Sequence, residues 1–362
     1  MSEEDKGIIH NPQLAPLAPL YGLGASLRNL LFNWGVIPSA EFPVPVIGIG
    51  NLSVGGTGKT PHTEYLVNLL KANYRVAALS RGYKRATKGF VLADQLSDAR
   101  SIGDEALQLY LRHPDLIVAV DANRRRAITR LLSRSDKPDI ILLDDAYQHR
   151  YVRPSLSILL TDFHRPFYKD HLLPWGRLRE SKAGMHRADA IIVTKCPNQL
   201  QPINYRIIES ELKLFSHQQL FFTRIVYENI KLVFPTASSV RRNIADQAAL
   251  LIAGIASPQP LVKEVERRFG RCITILFADH HSFDKNDIAR ISEAFAGIKS
   301  PEKLILTTEK DAARLLCNPF VPQEWKEILY YLPIRIEFCN ESSERFEKWL
   351  NNHIITFQRN NI

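Results

Sequence analysis

One stretch constrains this chain more than any other: Val44-Pro-Val-Ile-Gly-Ile-Gly-Asn-Leu-Ser-Val-Gly-Gly-Thr-Gly-Lys-Thr60. Val44 to Ile49 is an apolar run dominated by β-branched residues, the pattern of a buried strand. A glycine-rich turn follows, then Gly58-Lys59-Thr60, then a helical pattern through Leu66, Leu69 and Leu70. Strand, glycine loop and helix in that order make a phosphate-binding P-loop. Backbone N–H groups of such a loop cradle phosphates, a lysine reaches the β- and γ-phosphates, and the next hydroxyl ligates Mg²⁺. Here the cradle is Ser53, Val54, Gly55, Gly56, Thr57 and Gly58, with Lys59 and Thr60 in the last two roles. The strict pattern has glycine where this chain has Ser53, but Gly55 and Gly56 still let the backbone fold tightly round an anion. The stretch implies a nucleotide triphosphate site.

A P-loop needs a carboxylate-ended strand beside it to serve Mg²⁺. Asp139-Ile-Ile-Leu-Leu-Asp144-Asp145 fits, a buried strand closing on two carboxylates, with Gln148 and His149 just beyond. Further strands are expected at Arg75 to Ser80, Leu116 to Val120, Leu156 to Leu160 and Ala190 to Thr194. Strands alternating with helices point to a doubly wound, mostly parallel sheet with helices on both faces. Ligands bind at the carboxyl ends of strands in such sheets. Arg81-Gly-Tyr83-Lys-Arg85 sits at one such end, and Arg124-Arg-Arg126 opens a helix after another. Arginines at a helix start oppose its dipole, and a bound anion offsets that cost. Ser101-Ile-Gly-Asp104-Glu105 opens another helix, where the two carboxylates are either dipole-complementing caps or chemistry. The loop Leu173-Pro-Trp-Gly-Arg-Leu-Arg179-Glu180 is dense in Pro, Gly and Arg, a composition suited to function on a rigid sheet.

At 362 residues the chain exceeds one ordinary domain. The P-loop core is expected over residues 36–217, and a β-rich linker over 218–246. A smaller α/β domain is expected over 247–338, with one strand spanning Tyr330 to Phe338, and a closing helix in 339–362. Residues 1–35 carry Leu20, Leu23, Leu27, Leu30 and Leu31 at helical spacing with Tyr21, Phe32 and Trp34. That helix either packs on the core or lies on a membrane surface, and it is too short to cross one. The net charge of +9 implies an anionic partner, an acidic membrane or a nucleic acid. No interleaving of aromatic and basic residues supports nucleic-acid binding. Met1 to Gly7 is acidic and polar, unlike a secretory signal, and the four cysteines lack metal or redox spacing, so reduced cytosolic thiols are expected. Asp279-His280-His281 has no third ligand at zinc spacing and reads as a polar loop facing a site.

These parts fit phosphoryl transfer, which needs a phosphate cradle, a metal, cations and a group that orients or deprotonates the acceptor. Asp104 is the candidate base, with a histidine from the smaller domain to tune it. The alternative is a P-loop GTPase or ATPase switch or metallochaperone. The nearest piece to a guanine-reading motif, Thr194-Lys195-Cys196-Pro197, lacks the aspartate.

The set of motifs resembles the tetraacyldisaccharide 4'-kinases, the lipid A 4'-kinases of Gram-negative bacteria. The resemblance rests on Gly50 to Pro61, Ser80 to Arg85, Gly103-Asp-Glu105, Asp144 to His149, Leu173 to Glu180, Phe277 to His281 and Thr307 to Ala312, in order along most of the chain. It implies transfer of the ATP γ-phosphate, with Mg²⁺, to the 4'-hydroxyl of a lipid A disaccharide 1-phosphate, giving lipid IVA. It also implies peripheral attachment to the anionic cytoplasmic face of the inner membrane and two α/β domains joined by a β linker; a monomer is expected. By the same resemblance Asp104 is the catalytic base with His280 its partner, His281 being the neighbouring alternative. Thr60, Glu105, Asp144 and Asp145 serve the metal. Arg81, Tyr83, Arg124, His149 and Arg179 face phosphate or substrate, with Arg125 and Arg126 as alternatives to Arg124. The family commonly has Gly where this chain has Ala146, which implies a local change in that turn.

Overall fold

The computed structural model describes residues 12–234 and 247–360. The polar connection expected over Thr236 to Asp246 lies outside the described residues. The described chain forms two compact units. The first draws on Met1–Arg81, Leu116–Ile225 and Ile336–Ile362, the second on Gly82–Asp115 and Val226–Arg335.

In chain order the first unit begins with α1 (Ala18–Asn33), β1 (Val46–Asn51), α2 (Lys59–Leu70) and β2 (Val76–Ser80). The chain then contributes β3 (Val91–Leu92), α3 (Ala99–Ile102) and α4 (Asp104–Arg112) to the second unit. It returns for β4 (Ile117–Val120), α5 (Arg124–Leu132), β5 (Ile140–Leu143), β6 (Leu156–Asp162), β7 (Ala190–Thr194), α6 (Pro202–Leu212) and most of β8 (Gln219–Tyr227). The second unit continues with β9 (Lys231–Leu232), β10 (Ala248–Ala253), α7 (Gln259–Arg268), β11 (Arg271–Leu276), α8 (Lys285–Ala296), β12 (Lys303–Thr308), α9 (Glu309–Leu316) and β13 (Leu329–Leu332). Most of β14 (Ile334–Phe338) and all of α10 (Ser343–Asn360) belong to the first unit again.

Strands of the first unit run in the order β14-β8-β7-β6-β1-β5-β2-β4. Every pairing from β8 to β4 is parallel. Parallel strands are covered on both faces and so read as continuous apolar runs. β1, β5 and β7 are buried along their whole length. The second unit has its own sheet, β11-β10-β12-β13-β9, parallel except for β9. Strand β10, inside that sheet, is wholly buried, and Trp325 fills the core on one side of it.

Three boundaries differ from those read in the sequence. Residues 82–115, expected in the P-loop core, belong to the second unit, because α4 packs on α9 and both Gln108 and Arg112 hydrogen-bond Glu309. The helix expected at Ser101 is two, α3 and α4, broken at Gly103, whose φ of +87° suits glycine. The strand expected over Tyr330 to Phe338 is also two. Pro333 has no N–H to give a ladder, and β13 and β14 join different sheets on either side of it.

Helix α10 closes the first unit by burying Phe346, Leu350 and Ile354. The Phe346 ring lies 5.1 Å from that of Phe221 and 4.8 Å from that of Phe338. Replacing it with alanine is expected to cost about 3–5 kcal/mol, transfer and cavity terms together. A thermal melt of Phe346→Ala checks this, since a midpoint unchanged from the parent would show that α10 contributes little to the unit.

Candidate active site

The register of β1 with β5 (Ile47 opposite Leu142, Gly48 opposite Leu143) carries both strands to the same edge of the sheet. The P-loop leaves β1 there, and Asp144 and Asp145 leave β5. The two segments touch closely: a Cβ on Gly50 would stand 2.7 Å from the Cβ of Tyr147. Ala146 fits the turn by donating its N–H to the Ile49 carbonyl at 3.2 Å, while Asp145 takes the left-handed conformation, φ +47°.

Asp144 is buried and accepts from the Thr63 hydroxyl at 3.3 Å and the Asp145 N–H at 3.0 Å. Asp145 lies 3.6 Å from the Lys59 ammonium, and Arg179 reaches its two oxygens at 3.1 and 3.2 Å. Burial pushes the Asp145 carboxyl up, but Lys59, Arg179 and Arg124 outweigh it and hold the group below the usual range.

Of the three adjacent arginines, only Arg124 is buried. Its Nη1 donates to the Asp121 carbonyl at 3.0 Å, and its Nε is buried with no partner. Burial lowers Arg124 to about 10 against the pull of Asp144 and Asp145. Arg126 instead clasps Asp121 at 2.8 and 2.7 Å, and Arg125 is exposed. His149 is half-buried with its Nε2 unpartnered, and burial together with the charges of Arg124, Arg28 and Arg81 lowers it to about 4. Arg81 follows β2 and is exposed. The first unit therefore gathers Lys59, Thr60, Arg81, Arg124, Asp144, Asp145, His149 and Arg179.

The remaining predicted residues, Tyr83, Asp104, Glu105 and His280, lie in the second unit. Asp104 is the first residue of α4, directly after Gly103, where a Cβ would come within 3.0 Å of the Tyr83 carbonyl. It caps nothing; Asp98 caps α3 instead. The Asp104 carboxylate accepts from His280 Nδ1 at 2.9 Å and from Arg314 Nη2 at 2.5 Å. Lys310 Nζ meets His280 Nε2 at 3.2 Å. An ammonium has only donors, so Nε2 accepts there and Nδ1 carries the hydrogen given to Asp104. His281 turns away to Asp287 at 2.7 Å. The geometry thus pairs Asp104 with His280, and the Tyr83 ring stands edge-on to His280 at 5.3 Å. Glu105 lies 3.7 Å from Lys310.

A sequence profile of the tetraacyldisaccharide-1-P 4'-kinase family matches residues 10–355. The chain belongs to this family. It is 50% identical to the tetraacyldisaccharide 4'-kinase of Parabacteroides distasonis, over 98% of either chain. It is 48% identical to that of Bacteroides fragilis strain YCH46, over 99% of this chain and 96% of the relative. The crystal structure of LpxK from Aquifex aeolicus in complex with ATP is similar along 95% of this chain and 99% of its own, with a TM-score of 0.72 and 26% identity. Family membership fits both the parallel sheet with its P-loop and the second α/β unit.

Two members of the Asp104 cluster were not visible as partners in the sequence. Lys310 lies within the run Thr307 to Ala312, and Arg314 lies just past it. The available signal is the spacing of α9, since Arg314 stands one turn after Asp311 and the two are ion-paired at 2.6 Å. Helix α1 also resolves differently from a packed core helix. Its polar groups dock on the first unit: Tyr21 donates to the Arg179 carbonyl at 3.0 Å and Asn29 to Glu180 at 2.8 Å. Leu20 and Leu23, each 68% exposed, point away with Leu27 and Trp34. No described helix is long and apolar enough to cross a membrane.

Burial pushes the Asp104 carboxyl up, but hydrogen bonds from Arg314 and His280 and the charges of Arg314 and Lys310 hold it below its ordinary 3.8. A depressed carboxylate stabilises the fold above its unfolded value, and that contribution fades as pH falls through the folded value. Asp104→Asn, which lacks the charge at every pH, is expected to be less stable than the parent by about 1–3 kcal/mol near neutrality. The deficit is expected to shrink below about pH 4. Denaturation midpoints measured across pH check both the size and the direction.

Proposed function

We propose that the chain transfers the ATP γ-phosphate to the 4'-hydroxyl of a lipid A disaccharide 1-phosphate. One observation carries the reading: Gly58-Lys59-Thr60 and the carboxylates of Asp144 and Asp145 leave neighbouring parallel strands at one sheet edge. It is supported by full-length similarity to kinases named for this acceptor. In this reading the P-loop backbone and Lys59 hold the β- and γ-phosphates. Arg124 and Arg179 supply cationic donors for charge on the transferring group. The donor set of Thr60, Asp144 and Asp145 is all hard oxygen and fits Mg²⁺, with Glu105 a further carboxylate. When bound, the metal neutralises phosphate charge. Asp104, kept ionised by Arg314 and oriented by His280, accepts the proton of the attacking hydroxyl. A switch GTPase is disfavoured, because the residues after Lys195 are Cys196 and Pro197 and carry no carboxylate for guanine.

Helix α1 offers an apolar face with polar docking behind it, as an interfacial helix would. In a chain of net charge +9 it supports peripheral attachment to the anionic inner membrane.

Incubation with labelled ATP, Mg²⁺ and purified lipid A disaccharide 1-phosphate is expected to give labelled lipid; absence of that product sinks the proposal. Asp104→Ala is expected to lower kcat about 10²- to 10⁴-fold while ATP binding holds. Near-normal turnover in that variant would remove Asp104 from the role of base. Replacing Leu20 and Leu23 together by glutamate is expected to weaken sedimentation with anionic vesicles at least about tenfold. Equal binding by the double variant would leave α1 with no lipid contact through this face.

A further inference from the structure

We propose that Thr194, Lys195 and His62 are positioning residues for the nucleotide, side chains that grip three successive carbonyls of the P-loop and so aim its N–H groups. The inference rests on the reading that this loop holds ATP phosphates, and it concerns what keeps the loop in shape.

The grips come from three directions. Lys195 Nζ donates to the Gly56 carbonyl. The Thr194 hydroxyl donates to the Thr57 carbonyl at 2.9 Å. His62 Nδ1 lies 2.6 Å from the Gly58 carbonyl, and its Nε2 lies 2.9 Å from the Thr223 hydroxyl on β8. A carbonyl has no hydrogen to give, so Nδ1 is the donor and Nε2 accepts from Thr223. On the inner side, Asn51 Nδ2 fixes the Thr57 hydroxyl at 2.9 Å.

The consequence follows from the planarity of the peptide. In a trans peptide the C=O of one residue and the N–H of the next point in opposite directions. Holding the carbonyls of Gly56, Thr57 and Gly58 therefore sets the N–H groups of Thr57, Gly58 and Lys59. The Thr57 N–H closes the turn onto the Gly55 carbonyl at 3.1 Å. Those of Gly58 and Lys59 open α2, where helical N–H groups lack intrahelical acceptors and suit an anion. A loop with three glycines has many conformations to lose on binding phosphate. The tethers remove that freedom beforehand, and preorganisation of this kind appears as affinity.

Each grip is itself held. Thr194 is 1% exposed at the end of β7, and Lys195 is fixed by an ion pair with Asp162 at 2.7 Å. This also gives a use to Thr194-Lys195-Cys196-Pro197. The lysine of that run serves the phosphate loop, without a following aspartate to read a base.

The test is direct binding of MgADP by calorimetry with no acceptor lipid present, on the full chain. Thr194→Val, His62→Phe and Lys195→Met are each expected to weaken binding about fivefold to tenfold, the worth of one hydrogen bond. Thr194→Ser and His62→Asn, which keep a donor at the same place, are expected to bind within about twofold of the parent. Binding in all three donor-deleted variants within about twofold of the parent overturns the proposal. So does equal weakening in the Ser and Asn variants with a lowered melting midpoint, which marks a packing role alone. Because no lipid enters the measurement, tether-dependent binding alongside a failed transfer assay would count against the acceptor and leave the tethers standing.

Discussion

Two parallel strands lying side by side, β1 and β5, decide where charge collects in the first unit. Their register brings the glycine loop and two successive aspartates to one edge. Adjacent carboxylates repel, and the sheet edge accepts them because cations come to meet them: Lys59 from α2, Arg179 from the loop after β6, Arg124 from the start of α5. Arg124 shows the same balance from the other side. Buried with an unpartnered Nε, it would be an expensive cation without the nearby carboxylates. An anion bound at that edge would find donors already desolvated and aimed, which is the condition under which electrostatic stabilisation is strongest.

In the second unit the same role falls to a charge that never meets solvent. Asp311 is fully buried, and a buried carboxylate persists only when its lone pairs are filled. The Gly254 N–H, the Thr308 hydroxyl and Arg314 fill them at 2.8, 2.7 and 2.6 Å. Arg314 has a planar fork with several donors, so one guanidinium serves Asp311 through Nη1 and Asp104 through Nη2. A lysine, whose ammonium rotates freely at the end of a flexible stem, would lack the fixed planar spacing that orients both carboxylates at once. Asp104 is thereby anchored to the core of its unit through one intermediary, while its position at the first turn of α4 leaves the helix dipole favouring its charge.

Legibility in the sequence followed locality. The P-loop was readable because a phosphate cradle needs glycines and a lysine within a few residues, directly after a strand. Buried parallel strands were readable as β-branched runs. Pro333 marked the break between β13 and β14, but the apolar residues on both sides masked it. Assignment of residues 82–115 to the second unit was not readable, because it depends on the packing of α4 against α9, some 200 residues away in sequence. The pairing of Asp104 with His280 rather than His281 depends on a backbone detail. His280 takes φ +60°, and its neighbour turns to Asp287 in the first turn of α8. Arg314 illustrates the limit most plainly, since its spacing to Asp311 is local and its grip on Asp104 is not.

Helix α1 reverses the usual arrangement of a surface helix. Periodicity revealed a leucine-rich helix, but period alone does not say which face meets the protein. Here Tyr21, Arg28, Asn29 and the buried Phe32 face the first unit, and Leu20, Leu23 and Leu27 face out. Exposed leucines on such a helix carry a cost in water that a lipid surface relieves. The polar side is equally specific. Tyr21 bonds the carbonyl of Arg179, Asn29 bonds Glu180, and Arg179 itself holds Asp145. A single short loop therefore touches both, holding the proposed membrane helix through the Arg179 carbonyl and the Glu180 side chain and the carboxylate of the proposed metal site through the Arg179 side chain. A helix fixed at an interface through its leucines would fix that loop as well, so attachment and phosphate chemistry share one mechanical support.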